Sequence, residues 1–470
     1  MRQEWTTFRE LLLPVIGPNA PAGRGRPGRS VESELRQAIR DGQLAPGTRL
    51  PSSRDLAGQL GVARGTVTAA YGQLVAEGYL TTRRGSGTAV AATLGCAEAG
   101  PRNIGPAAPR WRFDLRPGLP ALSAFPRAEW VAATRSALTE LPDEALGYPD
   151  PAGLAELRTE LAGYLGRVRA VTVEPADIVI THGAAEGLFL LSAVLAERGH
   201  RAVAMEDPGH DGQMDLLRAN GLLPVPVPAD CAGLRVDELA ASECRAVVTT
   251  AAHQFPLGVA LHPDRRHALL AWARERDGLV IEDDYDAEHR YDRPALRAMQ
   301  AMEPSRVVYL GSVSKTLAPA LRLGWMVLPP SLHGEVVARK RLTDLGCSPL
   351  PQAAFARMLR GGGYDRHLRR TRLMYRRRRD ALLAAVAEQL PDWRPVGIAA
   401  GLHVLLRLPD GMDDAAVRRR IAERGVHAPA LSEYARGERG APYPGLVVGY
   451  AQLSADRLRA AVTEIAEAMR

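Results

Sequence analysis

The segment GSVSKTLAPALRLGW, residues 311–325, contains Lys315 among residue types that often surround a reactive lysine amine. The chain has 60 basic residues, and only Lys315 and Lys340 are lysines. Genomic composition bias alone is one explanation for this excess of arginine. A primary amine, unlike a guanidinium, condenses with an aldehyde to form a Schiff base. We therefore regard Lys315 as a candidate site of aldehyde binding.

The residues around Lys315 are of the types that bind a phosphate group. Ser312 and Ser314 are small hydroxylated donors, and Arg322 offers a guanidinium that can grip two phosphate oxygens. An amine held near such a cluster can have its pKa lowered. A surface lysine in a serine-rich loop is the alternative, and each residue taken singly favours it. Taken jointly, with lysine so scarce, the residues favour an aldehyde that carries a phosphate.

Two more polar residues, Asp283 and Tyr285, end a predicted strand in DGLVIEDDY, upstream of the lysine. A carboxylate there could hold a pyridinium nitrogen protonated, and a phenol could hydrogen-bond a ring oxygen. An acidic strand end without any such role is the alternative. Together with Lys315, the two residues indicate a site for a phosphorylated pyridine aldehyde.

From residue 113 onward, short apolar runs alternate with helical patterns. The β-rich runs are ADIVITHG, RAVAMEDPG, CRAVVTTAAHQ, DGLVIEDDY and SRVVYLGSVS. Segments between them, such as GLFLLSAVLAERG and HALLAWARERDG, have helical periodicity. This alternation predicts an α/β domain with a mainly parallel central sheet. In such a sheet the chemistry lies at the carboxyl ends of the strands, where the candidate residues fall.

The first 90 residues follow a different pattern. VESELRQAIR has apolar residues at helical spacing up to a break at Gly42, and Ser52 can cap a second helix that ends at Gly61. A third helical segment, ARGTVTAAYGQLVAEG, precedes two short β-prone runs around RGSG at 84–87, which is a hairpin signal. Three helices and a hairpin predict a winged helix-turn-helix.

This N-terminal part has the charge expected of a DNA-binding domain. Residues 1–90 contain twelve arginines and seven acids, so +5 of the net charge of +7 lies there. Arg64, at the start of the third helix, could contact a guanine edge, and other arginines could contact phosphates. Ordinary solvated helix residues are the alternative. The candidate DNA-binding residues are Arg54, Arg64, Gly65, Thr66, Thr68, Arg83, Arg84 and Gly85.

The composition argues against several other classes of protein. No apolar stretch is long enough to span a membrane, and MRQEWTTFRE lacks the layout of a signal peptide. The four cysteines are scattered without a C-x-x-C pair, which indicates neither a metal site nor a disulfide framework. We expect a soluble cytoplasmic protein that associates with the nucleoid when it binds DNA.

Both parts of the chain resemble known families. LPSSRDLAGQLGVARGTVTAAYGQLVAEGYLTTRRGSGTAV resembles the DNA-binding domain of the GntR family of bacterial regulators. The motifs GYPDPAGLAELR, HQFPLG, IEDDYDAEHRY and GSVSKTLAPALRLGW resemble those of fold-type I aminotransferases, which bind pyridoxal 5′-phosphate. A fusion of the two resembles the MocR subfamily. It implies a winged helix at 24–91, a linker at 92–112 and a cofactor-binding effector domain at 113–470.

The resemblance also implies a role for each candidate residue. Lys315 would carry the cofactor as an aldimine, Asp283 would pair with the pyridine nitrogen, and Tyr285 would pair with the phenolic oxygen. Tyr148 matches a tyrosine that reaches the phosphate from the partner subunit, which implies a homodimer. The phosphate ligands would be Ser312, Ser314, Arg322 and the backbone amides around Gly183, Ala184 and Ala185. His253 and Gln254 would lie in the loop beside the ring.

Three features depart from the family pattern. His210 takes a position near the cofactor face where the family usually has a larger aromatic ring. Ala184 replaces a hydroxylated residue of the phosphate loop, leaving only its backbone amide. No arginine precedes VVGYAQL to grip a substrate carboxylate, and the nearest are Arg436 and Arg439. The last difference counts against efficient transamination of α-amino acids.

We therefore expect a pyridoxal phosphate-dependent transcriptional regulator that binds a double-stranded DNA operator. Its large domain would sense an amino compound or pyridoxal phosphate itself and so change operator binding. A working aminotransferase with a DNA-binding appendage is the alternative, and a residual half-reaction is chemically possible. A degenerate domain without cofactor is disfavoured, because Lys315, Asp283, Tyr285 and Arg322 are all present.

Overall fold

The computed structural model describes residues 27–83, 87–92, 111–286, 288–292 and 296–470, with side chains from residue 31 onward. The chain forms two compact units, residues 1–109 and 110–470. The predicted boundaries of the two domains and of their linker stay predictions. Among the described helices, none is long and apolar enough to cross a membrane.

The smaller unit has three helices followed by a hairpin. Its elements are α1 Pro27–Arg40, α2 Ser53–Leu60, α3 Arg64–Ala76, β1 Leu80–Arg83 and β2 Gly87–Val90. The two strands pair antiparallel, with Leu80 opposite Val90. The helices enclose one core, in which Val31, Leu56 and Leu74 are fully buried. The predicted winged helix-turn-helix is confirmed.

Local capping fixes both ends of α2. The Ser52 hydroxyl oxygen accepts a hydrogen bond from the Asp55 amide at 3.2 Å, and Gly61 ends the helix with φ of 67°. A left-handed residue of this kind commonly closes a helix. Helix α3 starts differently, because Ala63 at its N-cap provides no side-chain acceptor. The Thr66 amide donates to the Ala63 carbonyl at 3.0 Å, whereas the Arg64 and Gly65 amides have no acceptor among the described residues.

The larger unit is an α/β domain with a smaller C-terminal sheet. Its helices are α4 Arg127–Glu140, α5 Ala155–Arg169, α6 Ala184–Glu197, α7 Asp211–Ala219, α8 Val236–Ala241, α9 Pro263–Glu275, α10 Pro330–Asp344, α11 Pro349–Arg360, α12 Gly363–Gln389, α13 Asp414–Glu423 and α14 Ala455–Met469. Its strands are β3 Phe113–Asp114, β4 Ile178–Thr181, β5 Ala202–Asp207, β6 Leu223–Asp230, β7 Gly233–Leu234, β8 Ala246–Thr249, β9 Leu279–Asp283, β10 Val307–Ser312, β11 Gly324–Val327, β12 Arg394–Val396, β13 His403–Arg407, β14 Val426–His427 and β15 Gly445–Gly449.

Eight strands form the central sheet, in the order β4-β11-β10-β9-β8-β5-β6-β7. The pairs from β10 through β9, β8 and β5 to β6 are parallel, whereas β11 and β7 run antiparallel to their neighbours. Strands such as β10 are buried along their whole length, because helices cover both faces of the sheet. The predicted mainly parallel sheet is confirmed.

The C-terminal sheet, in the order β12-β13-β15, packs on α12, α13 and α14 around a separate core. Strand β3 pairs with β14 beside it, and the Gly449 amide donates to the Leu115 carbonyl at 2.7 Å. These bonds fix the chain from β3 onward, so that residues 117–119 reach the carboxyl edge of the central sheet. A cavity lies at that edge.

Candidate functional site

A cavity of about 540 Å³ lies where strands β5, β8, β9 and β10 end. Its volume is typical of a site for a small molecule or cofactor. Nine residues singled out from the sequence line it: Ala184, Ala185, His210, Asp283, Tyr285, Ser312, Ser314, Lys315 and Arg322. Gly183, Tyr148, His253 and Gln254 do not line it.

Lys315 projects into this cavity from the loop after β10. Its Nζ atom donates a hydrogen bond to the Gly118 carbonyl at 2.7 Å. Burial lowers the pKa of Lys315, although the nearby carboxylates Asp283 and Asp286 act in the opposite direction. A lowered pKa increases the fraction of free amine, which is the form that attacks an aldehyde.

Asp283 ends β9 at the floor of the cavity. Its Oδ2 atom accepts a hydrogen bond from Gln213, while the buried Oδ1 atom has no hydrogen-bond partner among the described residues. Burial, with a smaller contribution from Asp284, raises the pKa of Asp283 to about 7. A buried acceptor without a donor is costly, so this oxygen suits a ligand that brings a cationic N–H group.

Tyr285 belongs to a buried polar group beside the cavity. Its hydroxyl lies 3.1 Å from His253 Nδ1, and that nitrogen lies 2.9 Å from Asp286 Oδ2. Burial raises the pKa of Tyr285 well above its ordinary value, so the phenol keeps its proton. The group therefore holds a neutral hydroxyl that can donate to a ligand oxygen.

One end of the cavity is built to receive an anion. Gly183 precedes α6 with φ of 88°, and Ala184 and Ala185 form the exposed start of that helix toward the cavity. The Arg322 guanidinium donates a hydrogen bond to the His182 carbonyl. It also faces Gly183 so closely that a Cβ atom added to Gly183 would lie 3.3 Å from Arg322 Nη1. Helix N-terminal amides and a guanidinium together favour a phosphate.

The backbone of Arg322 supports the same interpretation. Its φ of 47° and ψ of 49° place a non-glycine residue in the left-handed region. Such a conformation costs free energy and persists at functional sites, where the surrounding structure imposes it. Here it directs the guanidinium toward Gly183, and the buried Ser312 lines the same cavity.

His210 and Phe255 form part of the cavity wall. Their ring centroids are 5.7 Å apart, and burial lowers the pKa of His210, with a further contribution from Lys315. His403 also lines the wall, and burial lowers its pKa to about 3. The wall is thus aromatic and largely uncharged at neutral pH.

Among the described residues, Arg322 is the only arginine that lines the cavity. Arg436 instead forms an ion pair with Asp211, and Arg439 pairs with Glu238 at 2.8 Å. Neither Arg436 nor Arg439 lines the cavity. The position of a group that would bind a substrate carboxylate stays a prediction.

Pyridoxal phosphate fits the groups that the cavity offers. The unpaired Asp283 oxygen matches its pyridinium nitrogen, the Lys315 amine matches its aldehyde, and the start of α6 with Arg322 matches its phosphate. Tyr285 supplies a donor for a ring oxygen. The donors and acceptors of the site thus agree with those of this cofactor, and the individual roles stay predictions.

Several residues of the site were not found from the sequence. Gln213 contacts Asp283 from α7, Gly118 contacts Lys315 across 197 residues of chain, and His403 comes from the C-terminal sheet. One signal was available for Gln213, because it is a polar residue in the first turn of a helix that follows β5. The other two depend on long-range packing.

Tyr148 is 91% exposed and lies by a separate pocket of about 200 Å³. It makes no contribution to the cavity of its own chain. Exposure of a tyrosine on this scale is unusual for a residue with a structural role. Its contact with a second subunit stays a prediction.

In the smaller unit, the predicted DNA-binding residues that the structure describes are exposed or half-buried. Arg64, Gly65 and Thr68 are exposed at the start of α3, Thr66 is half-buried, and the Thr68 hydroxyl donates to the Arg64 carbonyl at 3.0 Å. Arg54 on α2 and Arg83 at the end of β1 are also exposed. Arg84 and Gly85 lie outside the described residues.

Comparisons with known families agree with both units. The model of the family "Aminotransferase class I and II" matches residues 121–465. The model of "Bacterial regulatory proteins, gntR family" matches residues 27–90.

Two curated proteins are similar along almost the whole chain. The HTH-type pyridoxine biosynthesis transcriptional regulator PdxR of Corynebacterium glutamicum is 35% identical over 93% of this chain and 94% of its own. The probable rhizopine catabolism regulatory protein MocR of Rhizobium meliloti is 30% identical over 94% of this chain and 93% of its own.

Among solved structures, the α-aminoadipate aminotransferase LysN of Thermus thermophilus, complexed with N-(5′-phosphopyridoxyl)-L-leucine, superposes with a TM-score of 0.68. It is 28% identical and covers 76% of this chain and 92% of its own. The similarity therefore extends to the fold that surrounds the cavity.

Proposed function

The chain belongs to the MocR-type regulators, in which a GntR-family domain precedes an aminotransferase class I and II domain, and we propose that it controls transcription through pyridoxal 5′-phosphate. The observation that carries this proposal is the cavity. It presents the Lys315 amine, an unpaired Asp283 oxygen and the Arg322 guanidinium to one ligand. The phosphopyridoxyl ligand of the Thermus protein supports the same cofactor.

Bound pyridoxal phosphate supplies an aldehyde that links covalently to an amine. Lys315 provides that amine, and its lowered pKa favours the reactive form. Asp283 fixes the ring by pairing with its nitrogen, and Tyr285 donates to its oxygen. Ser312, Ser314, Arg322 and the amides near Gly183, Ala184 and Ala185 hold the phosphate. His210 and Phe255 limit the access of water to the ring.

The DNA-binding face is the start of α3 together with Arg54 and the wing. Gly65 lets the backbone approach the groove closely, and Arg64 reaches base edges, as a recognition helix does. The names of both curated relatives, which are regulators, support an operator on double-stranded DNA as the partner. The protein would act in the cytoplasm and associate with the nucleoid when bound.

A homodimer is the assembly that we propose. Three large side chains are exposed here: Leu146, Tyr148 and Leu345. The segments that contain them are in contact, because Gly346 lies so near Pro149 that a Cβ atom added to Gly346 would be 3.0 Å from the Pro149 side chain. Exposed apolar side chains in adjoining segments favour a protein interface. Tyr148 would there complete the phosphate site of the other subunit, and paired winged helices would match an operator with two half-sites.

The large domain would act as a sensor. Cofactor, or an amine that displaces Lys315, alters DNA binding only if it has different affinities for two domain arrangements. The lack of a second arginine among the described residues of the cavity disfavours amino acids that need a carboxylate clamp. It equally disfavours efficient transamination, so we rank regulation above an enzymatic role.

The test combines a spectrum with DNA binding. Full-length protein incubated with pyridoxal phosphate should acquire near-visible absorbance, and borohydride reduction should fix the label on the Lys315 peptide. Footprinting on DNA that flanks the gene should show a protected site whose occupancy changes with cofactor. A protein that stays colourless contradicts the cofactor proposal, and rapid amino-group transfer with no protected site would favour the aminotransferase.

A further inference from the structure

The second lysine of the chain, Lys340, is buried directly behind the anion-binding end of the cavity. It lies on α10 and has no exposed surface. Its Nζ atom donates to Glu186 Oε2 at 3.0 Å and to Asp344 Oδ2 at 2.6 Å. Burial alone would lower the pKa of Lys340, but these two carboxylates raise it above its ordinary value. A charged ammonium is therefore held inside the protein.

Glu186 connects this ammonium to the turn before α6. Its Oε2 atom accepts a hydrogen bond from the His182 amide at 2.6 Å, and its Oε1 atom lies 3.1 Å from His182 Nδ1. The His182 carbonyl in turn accepts a hydrogen bond from Arg322. The contacts thus run from Lys340 through Glu186 and His182 to the guanidinium that faces the cavity.

The negative charge of Glu186 lies close to the anion-binding end of the cavity, and the Lys340 ammonium offsets it. A carboxylate in the first turn of a helix satisfies free amides there, but it also repels an anion bound at the same N-terminus. The ammonium of Lys340 compensates that charge within hydrogen-bond distance. Glu186 can then shape the turn without weakening the attraction of α6 for a phosphate.

Asp344 extends the same cluster to the segment beside Tyr148. Its Oδ1 atom accepts from the Gly346 amide at 2.9 Å, and Gly346, with φ of 108°, packs against Pro149 and the Asp150 carbonyl. Lys340 therefore touches two acids, one of which shapes the cavity and the other the neighbouring loop.

Four side chains of this cluster, His182, Glu186, Asp344 and Cys347, have ligand atoms close enough together to hold a metal ion. The ammonium of Lys340 already lies between the two carboxylates. Burial raises the pKa of Cys347 to about 12, so it remains a thiol rather than a metal-binding thiolate. The cluster therefore holds one ammonium between two carboxylates, and Lys340 offsets part of their negative charge.

We propose that Lys340 is a positioning residue for the cofactor phosphate, acting through Glu186 on the turn at His182 and Gly183. This role rests on the proposed binding of pyridoxal phosphate. It predicts an effect that is specific to the phosphate group. Replacement of Lys340 should weaken the binding of pyridoxal phosphate while leaving the binding of pyridoxal, which has the same aldehyde and ring, unchanged.

The main experiment measures the dissociation constants of both compounds for the full-length wild type and for Lys340→Met. We expect that of pyridoxal phosphate to rise by about tenfold or more, because a buried carboxylate loses its partner. The matched control is Arg265→Met, which removes a cation bonded to Asp230 at 2.7 Å outside the cavity. It should leave both constants unchanged.

Charge compensation is tested by Lys340→Met combined with Glu186→Gln. The amide oxygen still accepts from His182, and the unpaired carboxylate in the first turn of α6 is gone. Asp344 still lacks its ammonium, so affinity should recover part of the way toward the wild type. A double variant as weak as Lys340→Met overturns the charge argument. Equal weakening of both compounds in Lys340→Met overturns the positioning role, because it indicates a general loss of structure.

If Lys340→Met does not fold, a pair of Glu186 variants tests the same positioning role. Glu186→Ala removes the acceptor of the His182 amide and should selectively weaken pyridoxal phosphate, whereas Glu186→Gln keeps it and should bind normally. A Glu186→Ala variant with wild-type affinity contradicts the proposal. If the wild type itself binds neither compound, the cofactor proposal fails, which is a separate outcome.

Discussion

The two units of the molecule present their cations in opposite ways. In the smaller unit, Arg54, Arg64 and Arg83 are exposed and form no ion pair with any described residue. In the larger unit, Lys315 is mostly enclosed by the cavity and Lys340 is fully buried, and each is held by specific oxygens. Both arrangements would bind phosphate, but one binds a polymer and the other binds a single small molecule.

This difference follows from what each ligand requires. DNA is a long polyanion, and exposed arginines bind it largely by releasing counterions, which makes the affinity dependent on salt. A cofactor is one molecule with few groups, and its recognition needs fixed geometry and exclusion of water. Arginine suffices for the first task, whereas the aldehyde chemistry of the second needs lysine.

Substitution of Lys315 should have the largest effect, because it should remove covalent cofactor binding by the larger unit and leave DNA binding by the smaller unit. Lys315→Met should abolish the near-visible absorbance and the borohydride-trapped label completely, because no other lysine lines the described cavity. Lys315→Arg should do the same, since a guanidinium keeps the charge but does not condense with an aldehyde. DNA binding by the cofactor-free protein should persist in both variants. A trapped label in either variant would show that another amine reacts.

The salt dependence of ligand binding should differ almost as clearly between the two units. If a dimer uses about six arginines on phosphates, raising salt from about 50 to about 200 mM should weaken DNA binding by about a thousandfold. The cofactor spectrum should barely change over the same range, because its contacts are enclosed. Fluorescence anisotropy with a labelled operator and parallel absorbance scans measure both. A DNA affinity that ignores salt would argue against the arginine face as the binding surface.

A single arginine should have a smaller effect. Arg64→Ala should cost about 1–3 kcal/mol of DNA-binding free energy and relax discrimination at one base pair, if Arg64 contacts a guanine. Arg54→Ala, as a matched control, should weaken all sequences alike, because phosphate contacts carry no sequence information. Competition with operator variants distinguishes the two. The absorbance of the cofactor should be the same in both proteins.

The sequence was most informative where structure is local. Lys315 was found because lysine is scarce in this chain and because small hydroxylated residues flank it after an apolar run. Asp283 was found because it ends such a run, and these runs become buried strands of a parallel sheet. The start of α3 was found in the same way, from a helical period and a small-residue N-terminus. In these cases the neighbours in sequence determine the position of the residue.

Contacts between distant segments were not accessible in this way. Gln213 meets Asp283 across 70 residues, and Gly118 meets Lys315 across 197. Lys340 is a more instructive case, because its spacing of four from Asp344 is that of an ordinary pair on a helix surface. Its burial depends on how α10 packs on α6, which no local pattern shows.

The smallest effect that we expect concerns the stability of the cofactor-free protein and comes from Asp283. Its pKa is 3.8 in the unfolded chain and about 7 in the folded protein, so the folded state holds the proton more tightly. Stability therefore falls as the pH rises from about 4 to 7 and then stays constant. Asp283→Asn removes this loss and should raise the melting temperature by about 2–4 °C at about pH 8, with a smaller gain at about pH 5.

The same substitution should weaken cofactor binding, because an amide cannot neutralise a pyridinium nitrogen. A variant that is more stable yet binds less well would show that Asp283 is kept at a cost to the fold, in contrast to the exposed Arg64 of α3. Thermal denaturation at both pH values, with and without pyridoxal phosphate, measures the two effects together. Equal melting temperatures for variant and wild type at the higher pH would mean that the Asp283 carboxylate is already compensated within the protein.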